Sequence, residues 1–207
     1  MKKIFFTLFI CFSLLFFGTC SSNPRVSRVD PNTVTDISGF WNDTDVRLVC
    51  ERLINESINS PRVAQFIRQY ASQNDGRLPA ALVGTFANHS SEHIDTSIIS
   101  IMMESAIFNS GRLNFVTGGA ARQEIRDERQ DQQSFASEAT AAALGYETGA
   151  ALLLTGSVRS IVERAGNTTV RSYFVNAELI NIETNELLWR GLNDDIKKII
   201  RQPGLRL

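Results

Sequence analysis

The 207-residue sequence predicts an α/β fold: a mixed β-sheet flanked by helices, with an antiparallel meander at its C-terminal end. Three observations support this prediction. Before residue 150, segments with helical apolar spacing alternate with short β-branched runs. After residue 150, strand-like runs follow one another, and Ala165-Gly166-Asn167 has the composition of a hairpin turn. The sequence contains no internal repeat and no long low-complexity segment.

The first residues have the features of an export signal. Lys2 and Lys3 precede an apolar run over residues 4–17, which is shorter than the ~20 apolar residues that span a bilayer. Cys20 follows this run directly, with small residues before it and polar ones after it, which resembles a bacterial lipobox. The resemblance implies that Cys20 is lipidated, and Ser21 after it favours sorting to the outer membrane. Plain secretory cleavage near Thr19 is the alternative.

We therefore predict a signal peptide at 1–19, a lipid anchor with a short tether at 20–25, and a single periplasmic α/β domain at 26–207. An N-terminal arm up to Trp41 would pack on that domain, since adjacent aromatic residues are costly to expose. Loss of the two leader lysines changes the formal charge from −1 to −3. Without a basic patch, nucleic acid is not an expected partner. Cys50, on an apolar helical face, is expected to fill the core.

The elements are assigned from apolar spacing and from capping and turn residues. Four helices and two short strands are expected first: helix 42–59, helix 60–74, strand 80–87, helix 96–109, strand 113–117 and helix 118–133. Another helix is expected from Phe135 to Leu144, and strands at 151–162, 169–182 and 187–191. The segment from Asp194 onward fits either an edge strand or a last helical turn.

One of these helices, from Thr96 to Asn109, carries apolar and small residues near helical spacing, which is typical of a packing face. They are Ile98, Ile101, Met102, Ser105 and Ile107.

The candidate functional segment is the polar loop between strand 80–87 and helix 96–109. A strand that ends in a polar loop before a helix N-terminus is where α/β proteins commonly place recognition groups. Its predicted partner-binding residues are Asn88, Ser91, Glu92, His93 and Asp95. A structural role is the alternative: Asn88 and Asp95 would bond turn backbone, and His93 would pair with Glu92.

Possible catalytic motifs have simpler explanations. His89 and His93 match the His-x-x-Glu-His pattern of inverted zinc peptidases, but that chemistry needs both on one helix face, and here they follow a strand. Gly118-Gly119 lacks the spacing of a nucleotide-binding loop. Gly156 reads as a strand residue that allows close approach rather than as part of a nucleophile elbow. We predict no catalytic residue, no cofactor and no metal.

The sequence resembles the LpoB family of lipoprotein activators of penicillin-binding proteins. The resemblance starts near Val26 and extends to the C-terminus; a weaker likeness over 152–158 reaches domains similar to the amino-terminal domain of TolB. It is clearest in five stretches: 29–36, 41–45, Asn88 with 90–96, 126–133 and 179–186.

This resemblance implies an outer-membrane lipoprotein without catalysis of its own. It implies that the protein binds a bifunctional peptidoglycan synthase, a penicillin-binding protein, and stimulates its glycan polymerisation and crosslinking. Two other functions stay open: an envelope-assembly or secretion adaptor lipoprotein, and a loop-based metal hydrolase.

Overall fold

The computed structural model describes residues 26–202, and the chain divides into two units after Thr33. In the described part of the first unit, residues 26–33, a turn forms in which the Asp30 carboxylate accepts the Asn32 N–H at 2.8 Å. The predicted signal peptide, Cys20 and the tether lie outside the described residues, so those assignments stay predictions.

The second unit begins with an arm, residues 34–41, followed by two helices. Helix α1 spans Asp43–Ile58, and helix α2 spans Pro61–Gln73. Asn42 caps α1 in a reciprocal capping box: its side chain accepts the Asp45 N–H, and the Asp45 carboxylate accepts the Asn42 N–H. Pro61 occupies the first position of α2, where its missing N–H costs nothing. The predicted core position of Cys50 is confirmed, because it is a buried free thiol.

The remaining elements alternate helix and strand before the meander. In chain order they are β1 (Ala80–Asn88), α3 (Ser97–Ser110), β2 (Asn114–Phe115), α4 (Gly119–Phe135), β3 (Leu152–Ala165), β4 (Thr168–Asn181), β5 (Leu187–Asn193) and β6 (Lys197–Arg201). Within residues 26–202, six strands form one sheet in the order β2-β1-β3-β4-β5, and β6 also pairs with β4. β1 is parallel to β2 and β3, and the other pairs are antiparallel. The predicted mixed sheet with an antiparallel meander is confirmed.

Strand β4 is long enough to hold two partners on one edge. Its second half pairs with β5 through Val175 to Ile180, and its first half pairs with β6 through Thr168 to Ser172. In the C-terminal segment that the sequence left open, residues Lys197–Arg201 therefore form a strand. Alternate residues of β4 are buried, namely Tyr173, Val175, Ala177 and Leu179. They face the core that α1 and α3 cover, with α2 packed beside them on β5.

The sequence prediction fails at two places. No helix spans 135–144: α4 ends at Phe135, and residues 136–150 contain turns instead. The alanine-rich composition favours helix, but none of residues 136–150 is buried, and a short helix without tertiary packing is marginal in water.

The second error concerns the face of α3. Of the predicted residues, Ile107 is buried, but Ile98 and Ile101 are exposed. Ile99 and Met103 are buried in their place. Because α3 is apolar on almost every side, its spacing does not choose a face. Hydroxyl groups fix the rotation: Thr96 donates to the Phe86 carbonyl at 2.5 Å, and Ser100 to the Gly84 carbonyl at 3.2 Å.

Candidate functional site

The predicted recognition loop lies at the C-terminal end of β1 and leads into α3, as the sequence indicates. Asn88 holds its backbone: the side-chain amide donates to the Glu92 carbonyl at 2.8 Å, and its oxygen accepts the Ser90 N–H at 2.9 Å. The Asp95 carboxylate accepts the N–H and hydroxyl of Ser97, which lowers the pKa of Asp95 and closes the first turn of α3. The turn-bonding roles expected of these two residues in the structural alternative are present.

Glu92 points inward from this loop, and its carboxylate receives three donors, two from β4 and one from the arm. Arg171 on β4 forms an ion pair with Oε1 at 2.5 Å, and the Tyr173 hydroxyl donates to the same oxygen at 2.7 Å. The backbone N–H of Trp41, in the arm, donates to Oε2 at 3.2 Å. Glu92 thus pairs with Arg171, and not with His93 as the structural alternative expected.

Aromatic rings enclose this ion pair. The Arg171 guanidinium lies 4.0 Å from the centre of the Phe40 ring, and the Trp41 and Tyr173 rings meet edge to face at 5.3 Å. The pKa of Tyr173 is raised well above its usual range, mainly by burial and also by the hydrogen bond to the Glu92 carboxylate. Tyr173 therefore stays a hydrogen-bond donor at every physiological pH.

A second cation holds the arm on β6. The Lys198 ammonium bonds to Asp36 at 2.8 Å, to Asp45 at 2.7 Å and to the Phe40 carbonyl at 2.9 Å. Burial would lower the pKa of Lys198, but the bonds to both carboxylates outweigh it and raise that pKa. Burial raises the pKa of Asp45, whereas the bond from Lys198 lowers the pKa of the more exposed Asp36.

We call the Glu92–Arg171 cluster and the Lys198 contacts, taken together, the arm clasp. It consists of Asp36, Phe40, Trp41, Asp45, Glu92, Arg171, Tyr173 and Lys198. Sequence reasoning missed it, although Arg171 carried a signal. Arg171 lies on the same face of β4 as the buried Tyr173 and Val175, because side chains alternate between the two faces of a strand. Its guanidinium must therefore face inward, where a buried cation needs a carboxylate partner.

The outward surface of the loop is formed by Ser91, His93 and Asp95, all exposed. β2 pairs with only Ala80 and Ala81 of β1, so the edge of β1 beyond them is open on that side. A groove of about 530 Å³ begins at His93 and follows this open edge to the first residues of α4. The loop therefore has two sides: Glu92 anchors it to the core, and its neighbours face solvent.

The geometry gives no support to a zinc peptidase. His89 and His93 lie in the loop and not on a helix, so no helical turn aligns their imidazoles. Across residues 26–202, no group of three or more His, Cys, Asp or Glu side chains is placed to hold a metal ion. Gly118-Gly119 opens α4, and Gly156 lies within β3, as expected. Among the helices of the described chain, none has the length and apolar character needed to cross a membrane.

Comparison with known proteins identifies the family. The sequence model of the peptidoglycan-synthase activator LpoB matches residues 45–194. The chain belongs to the LpoB family. The match includes the whole recognition loop, but it excludes the arm and Lys198, which lie on either side of it. Among curated proteins, no relative matches the chain.

Solved structures similar to this chain, all at low sequence identity to it, include LpoB domains. The LpoB C-terminal domain from Salmonella enterica is 18% identical over 67% of this chain and 95% of that domain, with a TM-score of 0.32. The corresponding domain from Escherichia coli is 17% identical over 66% and 96%, with a TM-score of 0.34. Lipoprotein GNA1162 from Neisseria meningitidis is 19% identical over 58% and 83%, with a TM-score of 0.36.

Proposed function

We propose that this LpoB-family chain is an outer-membrane lipoprotein that binds a bifunctional peptidoglycan synthase and activates it. It would act by docking on the synthase, without chemistry of its own. The observation that carries this proposal is the family match over residues 45–194. The partner is a penicillin-binding protein, and the protein regulates cell-wall synthesis through it.

Attachment to the membrane would use Cys20, through the lipid that its lipobox-like context implies. The tether predicted between Cys20 and Val26, where the family resemblance begins, is residues 21–25, which span about 17 Å at ~3.4 Å per residue. A tether of that length would keep the protein close to the membrane that holds its anchor, and the synthase would have to reach it there. Cys20→Ser should release the protein into the soluble periplasmic fraction, and an unmodified soluble wild-type N-terminus would contradict the anchor.

The docking face would include the outward side of the recognition loop. Ser91, His93 and Asp95 offer donors and acceptors to solvent, beside the N-terminus of α3. Asn88 and Glu92 contribute by holding the backbone in place, through their bonds to the loop and to β4. In this proposal Glu92 supports the docking face and does not touch the partner.

Crosslinking followed by pull-down from envelope membranes tests the partner. We expect a bifunctional synthase to be captured, and the purified chain to increase its glycan polymerisation and crosslinking in vitro. Capture of the synthase without any stimulation would contradict activation.

The short tether also favours a second candidate, an adaptor lipoprotein of envelope assembly or secretion, because its partner need not lie across the periplasm. The same pull-down separates the two functions. Recovery of assembly or secretion components with no synthase would support the adaptor and overturn the proposal.

A further inference from the structure

A cavity of about 540 Å³ opens between the second half of α2 and the turn that joins β4 to β5. Its volume lies within the roughly 300–1,000 Å³ that is typical of small-molecule sites. Phe66 and Tyr70 of α2 line one side, with their ring centres 6.0 Å apart and the rings tilted by 36°. Phe66 also packs against the core, which fixes this side in place. The cavity therefore offers aromatic surface on a rigid support.

The other side of the cavity is the β4–β5 turn, and hydrogen bonds hold this turn in shape. The Asn181 N–H donates to the Glu186 carbonyl at 2.9 Å, and the Glu183 N–H donates to Oδ1 of Asn181 at 3.0 Å. Both sides of the cavity are thus formed before a ligand arrives, which lowers the ordering cost of binding.

Asn181 lines this cavity with a side-chain amide whose hydrogen bonding is incomplete. Asn181 is 9% exposed, and its Oδ1 is occupied by the Glu183 N–H. Among the described residues, none accepts a hydrogen bond from its Nδ2. A buried amide normally uses both of its ends, because an unpaired donor costs free energy. A carbonyl or hydroxyl oxygen of a ligand in the cavity would complete the bonding of Asn181.

The charge of the lining restricts the class of ligand. Glu183 and Glu186 line the cavity, and no basic side chain of the described chain lines it with them. Anionic ligands would therefore be repelled. A compact cation would suit the two carboxylates, but it would leave Nδ2 of Asn181 without an acceptor. Since the lining combines acceptors, an amide donor and aromatic rings, it best suits a neutral ligand rich in hydroxyl groups.

We propose that this cavity binds an uncharged N-acetylated sugar unit of a glycan chain. The acetamido carbonyl would accept from Nδ2 of Asn181, and sugar hydroxyls would donate to the carboxylates of Glu183 and Glu186. The apolar face of the sugar ring would lie against Tyr70. N-acetylglucosamine has all of these groups. N-acetylmuramic acid does not fit as well, because its lactyl carboxylate would meet the two glutamates.

The source of the glycan is peptidoglycan, and for this source alone the inference rests on the proposed function. The strands separate the cavity from the recognition loop. Ala151 lines the cavity and precedes Leu152, while Asn88, at the start of the loop, pairs with Val158. Six residues of β3 span about 20 Å at ~3.3 Å per residue. One chain can therefore hold a glycan at one end of the sheet while a synthase docks at the other.

Saturation-transfer NMR of the full chain with the N-acetylglucosamine tetramer tests the cavity, in a polyoxyethylene detergent that contains no sugar. We expect a Kd of order 1 mM, which Tyr70→Ala and Glu183→Gln should each weaken at least about fivefold. Tyr70→Phe keeps the ring and should bind like wild type. Glu183 is exposed, so Glu183→Gln should also keep the wild-type melting temperature.

Tyr146→Ala and Glu163→Gln are the matched controls for these variants, because both residues are exposed and lie outside the cavity lining. Both should bind the tetramer like wild type. A wild type that binds no tetramer at about 10 mM, or equal weakening by the controls, would overturn the proposal.

Two other tetramers test the chemistry of recognition. The glucose tetramer lacks the acetamido group, and the glucosamine tetramer replaces it with a cationic amine, so we expect both to bind more weakly. Equal binding of the glucose tetramer would contradict the acetamido contact. Tighter binding of the glucosamine tetramer would make the cavity a cation site. Either result overturns the proposal.

Co-sedimentation with sacculi whose peptides an amidase has removed tests the source of the glycan. We expect the wild type to sediment and Glu183→Gln to stay in solution. Binding of the tetramer without binding of these sacculi would reject peptidoglycan as the source and overturn the proposal.

Failure of this inference is distinguishable from failure of the proposed function. Glu183→Gln should still be captured with the synthase, because the cavity and the recognition loop lie at opposite ends of β3. Binding of the tetramer and the sacculi without capture of a synthase would refute the proposed function and leave the cavity assigned. Capture and stimulation of a synthase by a chain that binds no tetramer would refute the cavity alone.

Discussion

Glu92 and Arg171 form an ion pair at 2.5 Å between the recognition loop and β4, with their side chains 8% and 12% exposed. The same carboxylate accepts the Tyr173 hydroxyl and the Trp41 N–H. The loop is therefore tied both to the sheet and to the arm that leads back toward the predicted anchor. We therefore expect a change at Glu92 to act on the fold before it acts on any partner.

Replacing Glu92 by Ala should destabilise the fold by about 3 kcal/mol, because Arg171 then remains buried without its carboxylate. Urea unfolding measures this. Glu163→Ala, on an exposed part of β3, is the control and should stay within about 0.5 kcal/mol of wild type. If Glu92→Ala unfolds at the wild-type urea concentration, the ion pair does not hold the loop.

Lys198→Met should weaken the other half of the arm clasp. Asp45 would stay buried beside an uncharged side chain, while Asp36 would turn to solvent, so we expect a loss of about 2 kcal/mol. The neighbouring Lys197 is exposed on the opposite face of β6, and Lys197→Met should leave stability within about 0.5 kcal/mol of wild type. Equal effects of the two substitutions would contradict the clasp.

The arm clasp also predicts a loss of stability at alkaline pH. The folded pKa values of Tyr173 and Lys198 are both raised above their unfolded values. Each group therefore contributes stability that is complete below an unfolded pKa of about 10 and is lost as the pH rises through the folded pKa.

We expect the melting temperature to fall from about pH 10 upward, and Tyr173→Phe to be less stable at neutral pH but less dependent on alkaline pH. Tyrosinate absorbance provides a direct measurement. The chain has three tyrosines, and Tyr173 should ionise only when the fold is lost. Ionisation of all three in the folded protein near pH 10 would contradict the buried hydroxyl.

Most of the fold was predictable because local signals agree with the final structure. Asn42 and Pro61 mark helix starts, and the turn at Ala165-Gly166-Asn167 joins the two longest strands. The face of α3 was not predictable, since a helix that is apolar on both sides has no preferred rotation until Thr96 and Ser100 meet β1.

The candidate site was predictable only in part. The loop could be placed from its polar residues, but the inward turn of Glu92 depends on Arg171 and Tyr173, about eighty positions along the chain. Short-range spacing therefore made Glu92 resemble its exposed neighbours. The clasp on Lys198 is equally long-range, because Asp36 and Lys198 are 162 positions apart.

Gly156→Ala should be strongly destabilising, because β3 packs closely against β4 and the Phe86 ring there. A Cβ at Gly156 would lie 2.2 Å from the Asn176 carbonyl oxygen and 2.5 Å from the Phe86 ring. The Asn176 backbone cannot yield as a flexible side chain does, so we expect a loss of about 3 kcal/mol. Gly149→Ala is the control, since a Cβ there meets nothing within 4 Å. Thermal unfolding distinguishes them, and equal melting temperatures would contradict the close approach.

If the proposed synthase docks on this loop, His93→Ala should weaken its binding by roughly 1–3 kcal/mol and leave the melting temperature unchanged. His93 is exposed, and it takes no part in the bonds of Glu92 that hold the loop. His89 provides the matched control: it is the same residue type, exposed in the same loop, and outside the predicted docking set. Calorimetric titration of the synthase with each variant measures the difference. Should His93→Ala bind as tightly as His89→Ala, the loop is a structural connection and the docking face lies elsewhere.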